Sequence, residues 1–231
     1  MCCPSSSIPY LLSLASIFLI CGVGVLTVGF ATDNWVRHSV DREHLKTAIA
    51  NSEEQLGNFH RHEEYFTRTR GLWNICFMTA EQADLPTQPY GGGNITLTPV
   101  DKPCRRLSFA LDPKMTNDET TRIHLMRLSV GLFAGGFFLF LICFITGLVA
   151  CWRRGAAHTL VTGLLVFFAA LFCAAGVAVF HGYEHMELFE LKTPNSGFKT
   201  TWSPEVVDST TSAYWWSYIV VWVGDGLCII T

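Results

Sequence analysis

Charge is the scarcest resource in this chain. Of its 231 residues only 15% are Asp, Glu, Lys or Arg, half are apolar, and the mean hydropathy is +0.31, which excludes an ordinary soluble domain of this size. The chain has no glycine-rich phosphate loop and no nucleophile elbow, which removes the usual nucleotide-dependent and acyl-transfer chemistries. The loops carry no basic stripe, so nucleic acid is not a partner. No Lys or Arg precedes the first apolar run, and that run is longer than the apolar region of a secretory leader, so a cleaved signal peptide ending near Gly29-Phe30-Ala31 is set aside.

What is present is segregated hydrophobicity. A helix crossing a bilayer core of about 30 Å needs about 20 apolar residues. Four runs qualify as candidates: 10–31, 128–152, 159–180 and 214–231. They predict four transmembrane helices in contact with the lipid bilayer. Only the fourth contains a charge, Asp225. A carboxylate in an apolar helix is costly and faces the bundle, a water pocket or a partner helix, which makes Asp225 a candidate partner contact. The fourth run stops at Thr231 without a polar tail, and a fragment of a longer chain is the expectation.

The short connection 153–158 carries Arg153 and Arg154. By the positive-inside rule it stays in the cytoplasm. Residues 1–9 and the C-terminus then also face the cytoplasm, while 32–127 and 181–213 form two extracellular loops. The sequon Asn94-Ile95-Thr96 lies in the longer loop, making Asn94 a candidate glycosylation site. Of nine cysteines, Cys21, Cys143, Cys151, Cys173 and Cys228 fall in or at the ends of membrane runs, where a thiol behaves as a small apolar group. Cys76 and Cys104 are the two in the outer loops, and an oxidising compartment would pair them. Closing that loop would contribute about 3–4 kcal/mol. Cys2 and Cys3, just ahead of the first helix, are candidate palmitoylation sites.

The first outer loop opens Thr32-Asp33-Asn34-Trp35 and later reads Gly71-Leu72-Trp73-Asn74-Ile75-Cys76, with Cys104 following. This ordered W…GLWxxC…C pattern, with an arginine (Arg122 or Arg127) ahead of the second helix and four apolar runs, resembles the signature of the claudin, peripheral myelin protein and calcium-channel gamma-subunit superfamily. The resemblance implies a membrane protein, mainly α: a left-handed four-helix bundle carrying an extracellular antiparallel β-sheet. In that scheme Trp35, Gly71, Leu72, Trp73 and Arg127 are signature residues, and the two tryptophans lie where sheet and membrane meet, with a structural role. No catalytic residue and no cofactor is implied.

The local patterns agree with such a sheet. Leu72–Met78, Ile95–Val100 and Cys104–Leu111 are β-prone, Gly91-Gly92-Gly93 marks a turn, and a strand pair joined by Cys76 and Cys104 is the simplest assembly. Gly131 and Gly135 form a GxxxG in the second apolar run, and Ala170 and Ala174 repeat the small-residue spacing in the third. Two features depart from barrier-forming claudins: the long stretch between Trp35 and Gly71, and cysteines 28 positions apart where those claudins place them closer. The long first loop, the Ile123-His124-Leu125-Met126-Arg127 approach to the second helix and the Tyr214-Trp215-Trp216-Ser217-Tyr218 approach to the last look more like gamma subunits or the transmembrane protein 178 family. Within the long stretch Leu45, Ile49, Leu56 and Phe59 share a helical face, expected either to cap its own domain or to bind a partner.

Two chemical patterns are weighed and set aside. His181-Gly182-Tyr183-Glu184-His185 matches an inverted zinc-peptidase motif, but a glycine sits inside the would-be helix and no third ligand is evident. His60-Arg61-His62-Glu63-Glu64 reads as a solvated face. Loop charge offers another lever: 32–127 holds 12 basic and 13 acidic side chains, whereas 181–213 holds two lysines against five acids. Acids such as Glu184, Glu187 and Glu190 near an ion path would favour cations. The function expected is therefore non-enzymatic: an accessory or regulatory subunit of another membrane protein, an ion channel or receptor, in the plasma membrane. The alternative is claudin-like self-association in cell–cell adhesion or a paracellular barrier.

Overall fold

The computed structural model describes residues 8–50, 52, 59, 65–77, 103–111, 117–153, 156–192 and 203–231. Its elements are α1 (Ile8–Ala31), β1 (Val36–Val40), α2 (Arg42–Ala48), β2 (Arg68–Arg70), β3 (Asn74–Phe77), β4 (Cys104–Arg106), α3 (Asn117–Arg153), α4 (Ala156–Lys192), α5 (Pro204–Asp208), β5 (Thr210–Tyr214) and α6 (Trp216–Ile229). They divide into a helical unit, formed by residues up to Ala31, Leu111–Glu184 and Ile219–Thr231, and a sheet unit, Thr32–Ala110 with His185–Tyr218.

Among the described residues, three helical stretches are long and apolar enough to cross a membrane: Leu12–Ala31, Thr120–Ala150 and Ala157–Met186. The apolar helix α6 is shorter, at 14 residues. Both α3 and α4 run to 37 residues, beyond the apolar runs 128–152 and 159–180, because a helix already satisfying its backbone can extend into polar sequence without ending at the membrane boundary. Tyr214, read as the start of the fourth run, is instead the last residue of β5.

Lipid supplies no hydrophobic drive between helices, so close packing must hold them together. Large apolar side chains such as Ile20, Phe138, Phe144 and Leu160 point outward, as lipid-facing residues should. The helices meet instead through small residues. A Cβ on Gly224 of α6 would lie 2.6 Å from the Leu26 nitrogen and 2.9 Å from the Gly22 oxygen of α1, so these two helices touch backbone to backbone. Between α3 and α4 the tight position is Gly136, whose added Cβ would collide with Cys173 Sγ. Gly131 of the GxxxG reading meets nothing within 4 Å, and Gly135 meets only the Phe172 ring; the small-residue contact is displaced by one position because Gly136, not Gly131, is on the inward face. Ser129 Oγ donates to the Gly176 carbonyl at 2.8 Å, and Phe30 of α1 packs on Phe133 and Phe137 of α3, each at 5.2 Å between ring centres.

The sheet unit is a five-stranded antiparallel sheet in the order β4-β3-β2-β1-β5. Its longest ladder is β1 with β5, five register pairs from Val36↔Tyr214 to Val40↔Thr210. In β1 buried and half-buried residues alternate, the period-two signature of a strand with one covered face. The core is Val40, Leu45, Ile49, Phe59, Tyr65, Phe66, Ile75, Phe77 and Val206. Leu45 and Ile49 therefore cap the protein's own domain, which answers the choice that their helical spacing left open. Asp41 starts α2 by accepting from the His44 amide at 3.0 Å, and Ser203 with Pro204 starts α5. Arg42 lays its guanidinium over Phe59 and Phe66, at 4.7 and 4.4 Å from the ring centres, sealing the core with a cation–π lid.

Replacing Gly224 by Ala is expected to destabilise the helical unit by about 1–3 kcal/mol, the usual cost of overpacking against atoms that cannot move aside. Replacing Gly163, which has nothing within 4 Å, by Ala is expected to leave stability unchanged or raised. Thermal unfolding of the two variants in detergent checks the contrast.

Candidate functional site: the root and edge of the stapled sheet

The residues of the W…GLWxxC…C pattern converge in the sheet unit. Asp33 sits just before β1, and its carboxylate accepts from both the backbone nitrogen and the side-chain amide of Asn74, at 3.0 and 2.6 Å. Gly71 lies against Asp33 so closely that an added Cβ would collide with the Asp33 Cα and come within 2.7 Å of its Oδ1. Gly71 also donates to the Asn74 carbonyl at 3.0 Å. The glycine of the motif is thus required by close backbone approach, and Asp33 is its counterpart across the chain. Asp33 and Asn74 lie beside the motif letters, and a carboxylate shortly before the tryptophan with an amide following it was the one available signal of their pairing.

Trp35 is fully buried. Its nitrogen donates to the Arg70 carbonyl at 3.0 Å and its carbonyl accepts from Trp215 at 2.8 Å, so one residue ties β2 to the segment after β5. The indole meets Tyr218 edge-on at 6.2 Å, and Tyr218 stacks on Tyr214 at 4.3 Å, geometries favoured by aromatic quadrupoles. Leu72 is fully buried. Trp73 is half-buried, edge-on to Phe109 at 6.5 Å. Cys76 and Cys104 are opposite one another in the β3–β4 register and are joined by a disulfide, with a Cα–Cα distance of 4.0 Å. The strand pair expected from the cysteines is therefore present.

Other candidates separate from this group. In the helical unit Arg122 donates to the Tyr183 hydroxyl at 3.1 Å and lies 5.1 Å over the same ring, and Arg127 is on the exposed side of α3. Asp225 is fully buried, and neither carboxylate oxygen has a hydrogen-bond partner among the described residues; it faces the interior of its own unit. The HxxEH stretch divides, with His181 and His185 exposed and Glu184 buried, because histidines four apart share one helix face and Glu184 lies on another. Glu187 and Glu190 are on α4. Cys2, Cys3, Asn94, Ile95–Val100, Gly91-Gly92-Gly93, Leu56 and the His60–Glu64 run lie outside the described residues.

The arrangement holds and shapes. Asp33, Gly71 and Asn74 fix backbone, and Trp35, Tyr214 and Tyr218 pack ring on ring. The remaining outward features are those of a surface. One end of the sheet is β4, whose three residues Cys104, Arg105 and Arg106 are all exposed. The other is β5, preceded by α5 with Glu205 and Asp208.

Apolar helices of membrane-spanning length, joined in sequence to a disulfide-stapled antiparallel sheet, define a membrane protein of the claudin-like class. The family model described as PMP-22/EMP/MP20/Claudin tight junction matches residues 20–231, and the chain belongs to that family. Its members are generally non-enzymatic membrane proteins. No curated protein matches the sequence.

Gly71→Ala is expected to cost about 3 kcal/mol, at the upper end of ordinary overpacking, because the obstructing atoms are backbone. Asp33→Ala is expected to cost about 1–3 kcal/mol by leaving the Asn74 donors unmet. Gly182→Ala, with nothing within 4 Å of the new methyl, serves as the tolerated control. Denaturation followed by tryptophan fluorescence orders the three. Asp225→Asn removes a buried charge lacking an internal partner and is expected to raise the unfolding temperature of the chain in detergent; a lowered temperature would show that the carboxylate is stabilising.

Proposed function

We propose that this chain is an accessory subunit that regulates another membrane protein, an ion channel or receptor, from within the plasma membrane. The reading is supported by how its sheet unit is enlarged relative to the family pattern. The long stretch after Trp35 supplies α2 and a core of its own through Leu45, Ile49 and Phe59, and the paired cysteines are 28 positions apart. A self-supporting outer domain of this kind suits a body that docks beside a partner, with no pore or reaction of its own. In this reading the chain stands with the gamma-subunit-like or transmembrane protein 178-like branches. Its helices α1, α3, α4 and α6 form a left-handed four-helix bundle, with both termini cytoplasmic and the sheet extracellular. Asn94 carries a glycan, and Cys2 and Cys3 carry lipid.

A second reading is favoured by the family description, which includes tight-junction proteins: self-association of the outer loops in adhesion or a paracellular barrier. The two are separated by one pair of experiments. Purification of the full chain in mild detergent is expected to recover a channel or receptor in stoichiometric amount, and expression in non-adherent cells is expected to give no enrichment at contacts. Enrichment at contacts without a co-purifying partner would reverse the order.

A further inference from the structure

We infer that the Cys76–Cys104 disulfide is a thiol-exchange site, opened by small anionic thiols through attack at Cys104, and that its opening releases the edge strand β4 while the rest of the sheet stays folded. Three observations carry this. The first is accessibility. Structural disulfides resist reduction when their sulfurs are shielded, yet Cys104 is exposed and belongs to the last strand of the sheet, all of whose residues are exposed.

The second observation is the location of the core. Among the described residues the buried cluster draws on β1, α2, Phe59, Tyr65, Phe66, β3 and Val206 and contains no residue of β4, and Leu107, just beyond it, packs against that cluster. Among the described residues the strand is otherwise held by three register pairs, Asn74↔Arg106, Ile75↔Arg105 and Cys76↔Cys104. Flanking bonds add Phe77 to the Pro103 carbonyl and Leu107 to the Trp73 carbonyl, both at 2.8 Å. Without the covalent link a three-residue edge strand of this kind is marginal, since short two-stranded pairings do not hold alone in water. The remaining strands keep their ladders and their core.

The third observation is charge. Arg105 and Arg106 follow Cys104 directly and are exposed. Arg106 and Cys104 are two apart on the strand and share a face. The Arg106 guanidinium, on the face of the strand that carries Cys104, attracts an incoming anionic thiolate and stabilises a departing sulfur anion.

The exchange balances as follows. A thiolate attacks Cys104 Sγ, forming a mixed disulfide; the Cys76–Cys104 bond breaks, and Cys76 leaves as a thiolate that takes a proton from water. A second thiolate attacks the small-molecule sulfur of the mixed disulfide, giving the oxidised small disulfide and releasing Cys104 as a thiol after protonation. The protein gains two electrons and two protons, and two thiols are oxidised.

The test uses the full chain in detergent without denaturant, treated with glutathione or with cysteamine at equal thiolate concentration, quenched by alkylation and read by peptide mass spectrometry. Reduction of the native protein is expected, with the transient adduct on Cys104. One unit charge about 7 Å away in a water-like medium changes the local concentration of a singly charged ion about two- to threefold; the glutathione thiolate carries two more negative charges than the zwitterionic cysteamine thiolate, so glutathione is expected to react about fivefold faster at low salt. The preference should vanish in high salt and in Arg106→Ser. Hydrogen exchange after reduction, and in the Cys76→Ser/Cys104→Ser double variant, is expected to show protection lost in β4 and kept in β1, β2 and β5. A disulfide untouched until denaturant is added, adducts mainly on Cys76, or loss of protection across the whole sheet in either the reduced protein or the double variant would overturn the inference.

Discussion

No strand of the sheet exceeds five residues, and two have only three, so none can stand as part of a local hairpin alone. What the sheet depends on is the position of β1. It pairs on one side with β2 and on the other with β5, and its residues meet partners well over a hundred positions away, as in the His38–Ser212 hydrogen bond, 174 positions apart and 2.7 Å long. The residues on either side of β1 reinforce this. Asp33 and Trp35 before it fix the Gly71–Asn74 turn and the segment after β5, and Asp41 after it starts α2 while its amide donates to the Ser209 carbonyl at 2.9 Å. The two polar segments that the sequence leaves between apolar runs thereby become one folded body. The entropy of closing such long loops is offset only when all of these contacts form together.

The same logic explains where the packing leaves little choice of side chain. In the sheet unit the demand is close backbone approach at Gly71 and full burial at Trp35 and Leu72. In the helical unit it is again backbone proximity, at Gly22 with Gly224 and at Gly136. Water drives the first kind of packing; in lipid only shape and dispersion act, so the helical contacts rely on small residues and on bonds such as Ser129 to Gly176. Asp225 is the exception, a buried carboxylate where neither solvent is available, and its retention inside the unit is a local cost that the surrounding packing carries.

Much of this is legible in the amino-acid sequence. Apolar runs announced the helices, and the ordered tryptophan, glycine and cysteine pattern announced the stapled sheet and the family. The β3–β4 pair could be read because β-prone residues surround both cysteines. Other elements could not be read so easily. Strand β2 is Arg68-Thr69-Arg70, with no apolar residue to mark it, and it is a strand only because two neighbours pair with it. Strand β5 lies directly before an aromatic helix start, so Tyr214 was absorbed into the helix. Strand β1 did carry a signal, valine at alternate positions, but a histidine in the middle hid it. The helical face of Leu45 and Ile49 was visible, whereas what it faces is tertiary information. The GxxxG spacing was equally visible, yet only the packed structure distinguishes Gly131 on the outer face from Gly136 on the inner one.

The sheet unit hangs on β1, and β4 is the strand it can lose. Residue-resolved hydrogen–deuterium exchange on the oxidised, full-length chain in detergent tests this most directly. The slowest amides of the sheet unit should be those shared between β1 and its neighbours β2 and β5, with β4 the fastest of the five strands. Uniform exchange across all five strands, or exchange of β5 as fast as that of β4, would contradict it.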